Sequence, residues 1–316
     1  MSAGDPIAPF LESQGALILD GGLATELEKR GADLDDPLWS ARLLLENPDL
    51  IKQVHHDYYV AGADVAVTAS YQASFPGLMK RGLSRTEAAR LMATSVRLAH
   101  EAREIFWSDA GNRVGRLRPL VAASIGPYGA HLHDGSEYRG DYGIGRGELM
   151  GFHRERMAVL AEAGADLLAC ETIPSRLEAE VLLELLEEFP DVRAWLSFSC
   201  RDGTHISDGA SFADCAQLTN ASPQIVAVGL NCTPPQYAEA LVRAAVAATA
   251  RPVLVYPNSG EQYQVEGNRW LPGEGVDDFV AAARRWHAAG ARLIGGCCRT
   301  GPGEIAGIAR ALRHAV

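Results

Sequence analysis

The sequence predicts a single (β/α)8 barrel, and three observations predict it. Eight short, almost uniformly apolar runs recur along the 316 residues, and helical patterns separate each run from the next. The residues able to do chemistry, cysteines and carboxylates among them, stand just after the runs, where such a barrel carries its functional face.

Residues 1–14 are read as a lead-in to one domain spanning 1–316. The predicted strands are 16–20 (ALILD), 64–69 (DVAVTA), 119–124 (PLVAAS), 166–170 (DLLAC), 194–199 (AWLSFS), 224–230 (QIVAVGL), 252–256 (PVLVY) and 292–296 (RLIGG). Each is short and apolar on both faces, as a parallel strand covered on both sides should be. Between them, Ser84 with Glu87 and Ser175 with Glu178 have capping-box spacing. Leu177, Val181, Leu182, Leu185 and Phe189 form one helical stripe. Gly62, Gly164 and Gly290, each ahead of a strand, fit the left-handed residue that closes a helix. A doubly wound sheet is the runner-up, but DGGLATELEKRG after the first strand is no G-x-G-x-x-G phosphate loop.

Composition narrows the partners. The chain is 47% hydrophobic and 22% charged with a formal net charge of -11, which argues against nucleic acid or an anionic membrane surface. Neither a basic-then-apolar leader nor an apolar run of membrane-spanning length is present. The six cysteines are scattered, so free thiols in a reducing cytoplasm are expected.

The barrel hypothesis sorts residues by strand end. Asp20, Gly21 and Gly22 follow the first strand, Tyr71 the second, Glu171 and Thr172 the fourth. Cys232 follows the sixth, Asn258 the seventh, Cys297 and Cys298 the eighth. Adjacent side chains on a strand point to opposite faces, so two neighbouring thiols serve one site only if the chain turns. Gly295 and Gly296 are expected to supply that bend. Three cysteines from distant segments at a barrel mouth suit a catalytic zinc site, three protein ligands and an open fourth position, better than a structural knuckle. Inert buried thiols or a vicinal Cys297–Cys298 disulfide are the alternatives.

The stretches DGGLATELEKRG, GADVAVTASYQAS, GPYGAHLHDGSEYRGDY, ACETIPSRLEAE, VGLNC, YPNSGEQY and GARLIGGCCRTGP together resemble the zinc-dependent homocysteine S-methyltransferase family, from about Gly15 to about Ile308. The resemblance is greatest to its S-methylmethionine-using branch. It implies that Cys232, Cys297 and Cys298 bind Zn2+, and that Tyr71 can approach the metal as a fourth ligand when substrate is absent. It implies that Asp20 and Glu171 hold the homocysteine ammonium, while the backbone at Gly22, Leu23 and Ala24 receives its carboxylate. Two carboxylates beside N–H groups opening a helix do suit a free amino acid.

The expected reaction is transfer of a methyl group from a sulfonium, S-methylmethionine or S-adenosylmethionine, to homocysteine, giving methionine. Tyr138, Asn258 and Trp270 are the expected donor contacts. Betaine users carry an aromatic residue beside the amino-acid-binding Glu, where this chain has Thr172. The expected form is a monomer or small homo-oligomer. His131 and His133 form an H-x-H and keep open a metal-dependent hydrolase on the same barrel. The other alternative is a non-enzymatic zinc- or thiol-bearing structural protein.

Overall fold

Every one of the eight apolar runs is a strand of one parallel sheet in a computed structural model of the chain, which describes residues 4–34, 39–264, 269–271, 276 and 278–313. The barrel strands are β1 (Leu17–Ile18), β2 (Val65–Val67), β3 (Leu120–Ile125), β4 (Leu167–Ile173), β5 (Ala194–Phe198), β6 (Ile225–Asn231), β7 (Val253–Tyr256) and β10 (Ala291–Ile294). Their order is β1-β10-β7-β6-β5-β4-β3-β2, all neighbours parallel. An antiparallel hairpin, β8 (Gln262–Gln264) with β9 (Arg269–Leu271), interrupts the seventh crossover and was not foreseen.

Between β1 and β2, backbone and carboxylates together close the barrel. The Asp64 N–H donates to Ile18 O at 2.7 Å, and the Asp64 carboxylate accepts from Ile18 N at 2.9 Å. One turn nearer the mouth, Asp20 Oδ2 accepts from Val67 N at 2.8 Å. Arg313 stands 2.7 Å from Asp64, whose carboxyl is completely buried. Burial raises its pKa, and Arg313 offsets part of that.

Alternate strand residues face two cores. Leu17, Leu19, Ala122, Leu167, Trp195, Leu254 and Leu293 fill the barrel interior. Within the lead-in segment, α1 (Ala8–Gln14) and its N-cap Ile7 place Ile7 and Phe10 in that same interior cluster. Each such burial is worth about 1.5–3 kcal/mol.

The outer layer is α2 (Leu23–Lys29), α3 (Leu43–Glu46), α4 (Pro48–Ala61), α5 (Phe75–Lys80), α6 (Arg85–Ser108), α7 (Tyr128–Leu132), α8 (Arg146–Glu162), α9 (Arg176–Leu186), α10 (Phe212–Leu218), α11 (Pro235–Ala248), α12 (Phe279–Ala289) and α13 (Pro302–Leu312). Gly62, Gly164 and Gly290 take the expected left-handed φ of 112°, 84° and 118°. Ser84 and Glu87 form the expected capping box. Ser175 caps α9, yet Glu178 does not complete a box. It lies fully buried and accepts from Tyr128 N (2.6 Å) and Tyr142 OH (2.8 Å), with His153 Nε2 at 2.8 Å. Among the described residues no helix is long and apolar enough to cross a membrane.

Candidate active site

The three cysteines meet at the C-terminal mouth. Their sulfurs lie within 4.8 Å of one another, and among the described residues no other three His, Cys, Asp or Glu side chains converge in this way. Cys298 Sγ is 4.0 Å from Cys232 Sγ and 4.0 Å from Cys297 Sγ. Cys232 and Cys297 are in disulfide contact with Cα atoms 5.6 Å apart, so the bridge is not the vicinal one weighed from sequence. Reduced, this set offers three soft thiolate donors around one point, which fits a zinc ion with a fourth position open to the cavity.

The glycines act differently from expectation. Neither Gly295 nor Gly296 has a positive φ; the left-handed residues at the cysteines are Arg299, after Cys298, at φ 66° and Cys232 itself at φ 45°. What the glycines supply is space. A Cβ on Gly22 would stand 2.7 Å from Cys297 O, and one on Gly295 would stand 2.6 Å from Leu19 Cβ. The ends of β1 and β10 thereby interlock, with Gly22 N donating to Thr300 O at 3.0 Å and Gly296 N to Asp20 O at 3.1 Å. Of the four non-glycine residues with left-handed φ among those described, His133, Thr172 and Cys232 line the cavity at this mouth, and Arg299 follows Cys298. Such backbone costs about 1–3 kcal/mol each and persists where surroundings enforce it.

A cavity of about 410 Å³ opens beneath, lined by Asp20, Gly22, Leu23, Ala24, Tyr71, Glu171 and the three cysteines. The two carboxyls proposed for an ammonium therefore share one space. Glu171 lies within β4, not after it, at a register break between Cys170 and Ile173. Ser124 Oγ donates to its Oε1, and Tyr256 OH donates to its Oε2 at 3.0 Å. Behind Tyr256 runs a buried chain: Ser197 Oγ at 2.7 Å, then Asn231 Oδ1 at 2.8 Å from that hydroxyl. Asn231 Nδ2 holds Thr172 Oγ1 at 2.7 Å, and its Oδ1 accepts from Thr172 N at 2.7 Å. Asn231, the last residue of β6 and the one before Cys232, thus ties the strained end of β4 to β6.

Burial dominates the acid groups. It lifts Glu171 to about 7 against its two hydroxyl donors. It raises Asp20 well above the carboxylate range, against the Val67 N–H, with Glu171 adding repulsion.

Tyr71 is set by a residue the sequence did not single out. Arg156 is buried, and its guanidinium donates to Gly126 O and Ser70 O, each at 2.8 Å, and to Tyr71 O. Tyr138 lines the cavity as expected, and so does its neighbour Glu137. Asn258 is buried against the loop after β6, its N–H on Thr233 O at 3.2 Å, and does not line the cavity. Trp270 pairs with Tyr263 in the hairpin, and its side chain lies outside the described residues. The H-x-H does not converge: His131 packs on Tyr128 and Phe152 while His133 lies at the cavity wall. His205 Nδ1 stands 3.0 Å from both Asp202 carboxylate oxygens.

Residues 17–312 match the homocysteine S-methyltransferase family model. Homocysteine S-methyltransferase YbgG of Bacillus subtilis is 54% identical over 312 residues, 98% of this chain and 99% of that one. The metallated form of the homocysteine methyltransferase MmuM from Escherichia coli superposes with TM-score 0.87 at 46% identity, covering 97% of this chain and 99% of its own. Its oxidized form gives TM-score 0.87 at 47% identity over 96% and 99%.

Proposed function

The chain belongs to the homocysteine S-methyltransferase family, and from that premise we propose that it methylates homocysteine to methionine at a zinc site formed by Cys232, Cys297 and Cys298, taking the methyl group from a sulfonium donor, S-methylmethionine or S-adenosylmethionine. The observation that carries this reading is the convergence of the three sulfurs on a cavity that also holds Asp20 and Glu171. Bound there, zinc would supply the electrophile that lowers the pKa of the homocysteine thiol.

This chain's own residues do the rest. Asp20 and Glu171 face the homocysteine ammonium, and the N–H groups of Leu23 and Ala24, beyond Gly22 at the start of α2, receive its carboxylate. Those contacts orient the substrate sulfur toward the cysteine cluster. Tyr71, whose backbone carbonyl Arg156 holds, lines the same cavity and would be available as a fourth ligand to the zinc in the absence of substrate. In the transfer a new S–CH3 bond forms as the methyl's bond to the sulfonium breaks, the pair staying on the departing sulfur. Thiolate and sulfonium become two neutral thioethers, so charge is lost and no proton moves. A cavity that excludes water favours such a step, because water stabilises the separated charges best.

Methionine formation from homocysteine, run in parallel with S-methylmethionine and S-adenosylmethionine, tests the reading and ranks the donors. Turnover that stops on chelation and returns with zinc supports it. No methionine from either donor, in protein carrying one zinc, would overturn it.

A further inference from the structure

We propose that Glu137 receives the sulfonium charge of the methyl donor and so selects a cationic methyl carrier over a neutral one. The inference rests on the methyl-transfer reading and goes past it by assigning the donor side of the cavity. Glu137 lines that cavity, and its Oε2 is buried with no hydrogen-bond partner among the described residues. An unpaired carboxylate oxygen is expensive to bury, and a ligand cation is a natural complement.

The residue is held, not loose. It sits in the short helical turn Ser136–Tyr138, where its carbonyl accepts from Ser199 Oγ at 2.9 Å. On the other side a Cβ at Gly129 would come within 2.6 Å of Ser136 C, so the turn is packed tightly against α7. Its position separates it from Asp20 and Glu171. Those two stand at the ends of β1 and β4, whereas Glu137 lies in the loop beyond β3, over the mouth. A donor whose methyl meets a sulfur held at the cysteine cluster must bring its own sulfonium into the same cavity, which Glu137 lines. Of the other lining carboxyls, Asp20, Glu28 and Asp33 belong to the segment between β1 and β2 and Glu171 to β4, so Glu137 is the one that the loop after β3 contributes.

The test uses zinc-loaded enzyme and reads binding as well as turnover. Methionine is the neutral counterpart of S-methylmethionine and carries the same ammonium; since both can also enter the homocysteine position, the change in the ratio of their affinities by calorimetry between wild type and Glu137→Gln isolates the pairing of Glu137 with the sulfonium. Wild type should prefer S-methylmethionine, and Glu137→Gln should abolish that preference. The same variant should raise the S-methylmethionine KM about tenfold, equivalent to about 1.4 kcal/mol, with bound zinc and the homocysteine KM unchanged. Glu137→Asp, which keeps the charge, should retain the preference in part. A preference that survives in Glu137→Gln, a wild type with none, or a loss carried by the homocysteine KM would overturn the assignment. Failure of the wild type to make methionine would instead reject the methyl-transfer reading, and the calorimetric ratio would still judge Glu137.

Discussion

Tyr256→Phe removes one hydroxyl and should move a pH profile. Tyr256 OH donates to Glu171 Oε2 at 3.0 Å, and burial already holds Glu171 near 7. A hydrogen bond to a charged acceptor is worth about 1.5–3 kcal/mol. Losing the lower figure raises the Glu171 pKa by about one unit, to about 8. If ionised Glu171 holds the homocysteine ammonium, the ratio of variant to wild-type homocysteine KM follows the two ionised fractions. It should be about ninefold near pH 6, about threefold near pH 7.5 and close to one near pH 9. The assay is initial rate against homocysteine at saturating donor across that range. An increase equal at every pH would mean that Tyr256 acts through packing, and an increase confined to the donor KM would mean that Glu171 faces the other substrate. Either result refutes the ammonium assignment.

Cys298→Ser should abolish bound zinc and activity while circular dichroism stays that of the wild type; full activity without metal would end the thiolate-site reading. Asp20→Asn keeps an acceptor for Val67 N and should raise the homocysteine KM about tenfold with little change in Tm, whereas Asp20→Ala also strands that N–H at about 1–3 kcal/mol. Phe10→Ala, inside the barrel floor, should cost about 3–5 kcal/mol by denaturant titration and leave both KM values alone. His55 is fully buried, and burial lowers its pKa to about 4 from 6.5. The unfolded chain therefore binds the proton first, and stability should fall as pH drops from about 6.5 toward about 4, by about 3 kcal/mol; His55→Leu should flatten that slope.

What the sequence could show follows from how far each signal reaches. Parallel strands covered on both faces read as uniform apolar runs, so all eight were legible. Their ends were not: β4 runs to Ile173 through a register break, because the side chains at Glu171 and Thr172 are held by Ser124, Tyr256 and Asn231 from other strands. Ser84 and Glu87 lie on an exposed helix start, where local spacing decides, and their box forms. Ser175 and Glu178 have the same spacing, but three tertiary partners claim Glu178. The cysteine triad was legible because a strand-end rule brings distant residues together without knowing a contact. Glu137, Arg156 and Tyr256 escaped because no local pattern marks a loop carboxylate, a buried guanidinium or a strand-end hydroxyl as belonging to a site.

Charge explains why these groups occur together. Three cysteine sulfurs and the carboxyls of Asp20, Glu171 and Glu137 border one cavity, and burial lifts Glu171 and Glu137 to about 7 and Asp20 well above its usual range. The protein thus surrounds a small space with groups that resist being anionic there. Each cation of the proposed reaction offsets part of that cost: zinc at the sulfurs, the homocysteine ammonium at Asp20 and Glu171, the sulfonium at Glu137. Binding of one cation lowers the pKa of the nearby carboxyls, which then attract the next more strongly. The chemical step removes one positive and one negative charge at once, and the neutral thioether that leaves no longer has a counter-charge to hold it. Product release is then favoured by the same carboxyl that drew the donor in. Tight binding of the sulfonium and weak binding of its thioether are one property of the site, and exchanging Glu137 for its amide should narrow the gap between them from the sulfonium side alone.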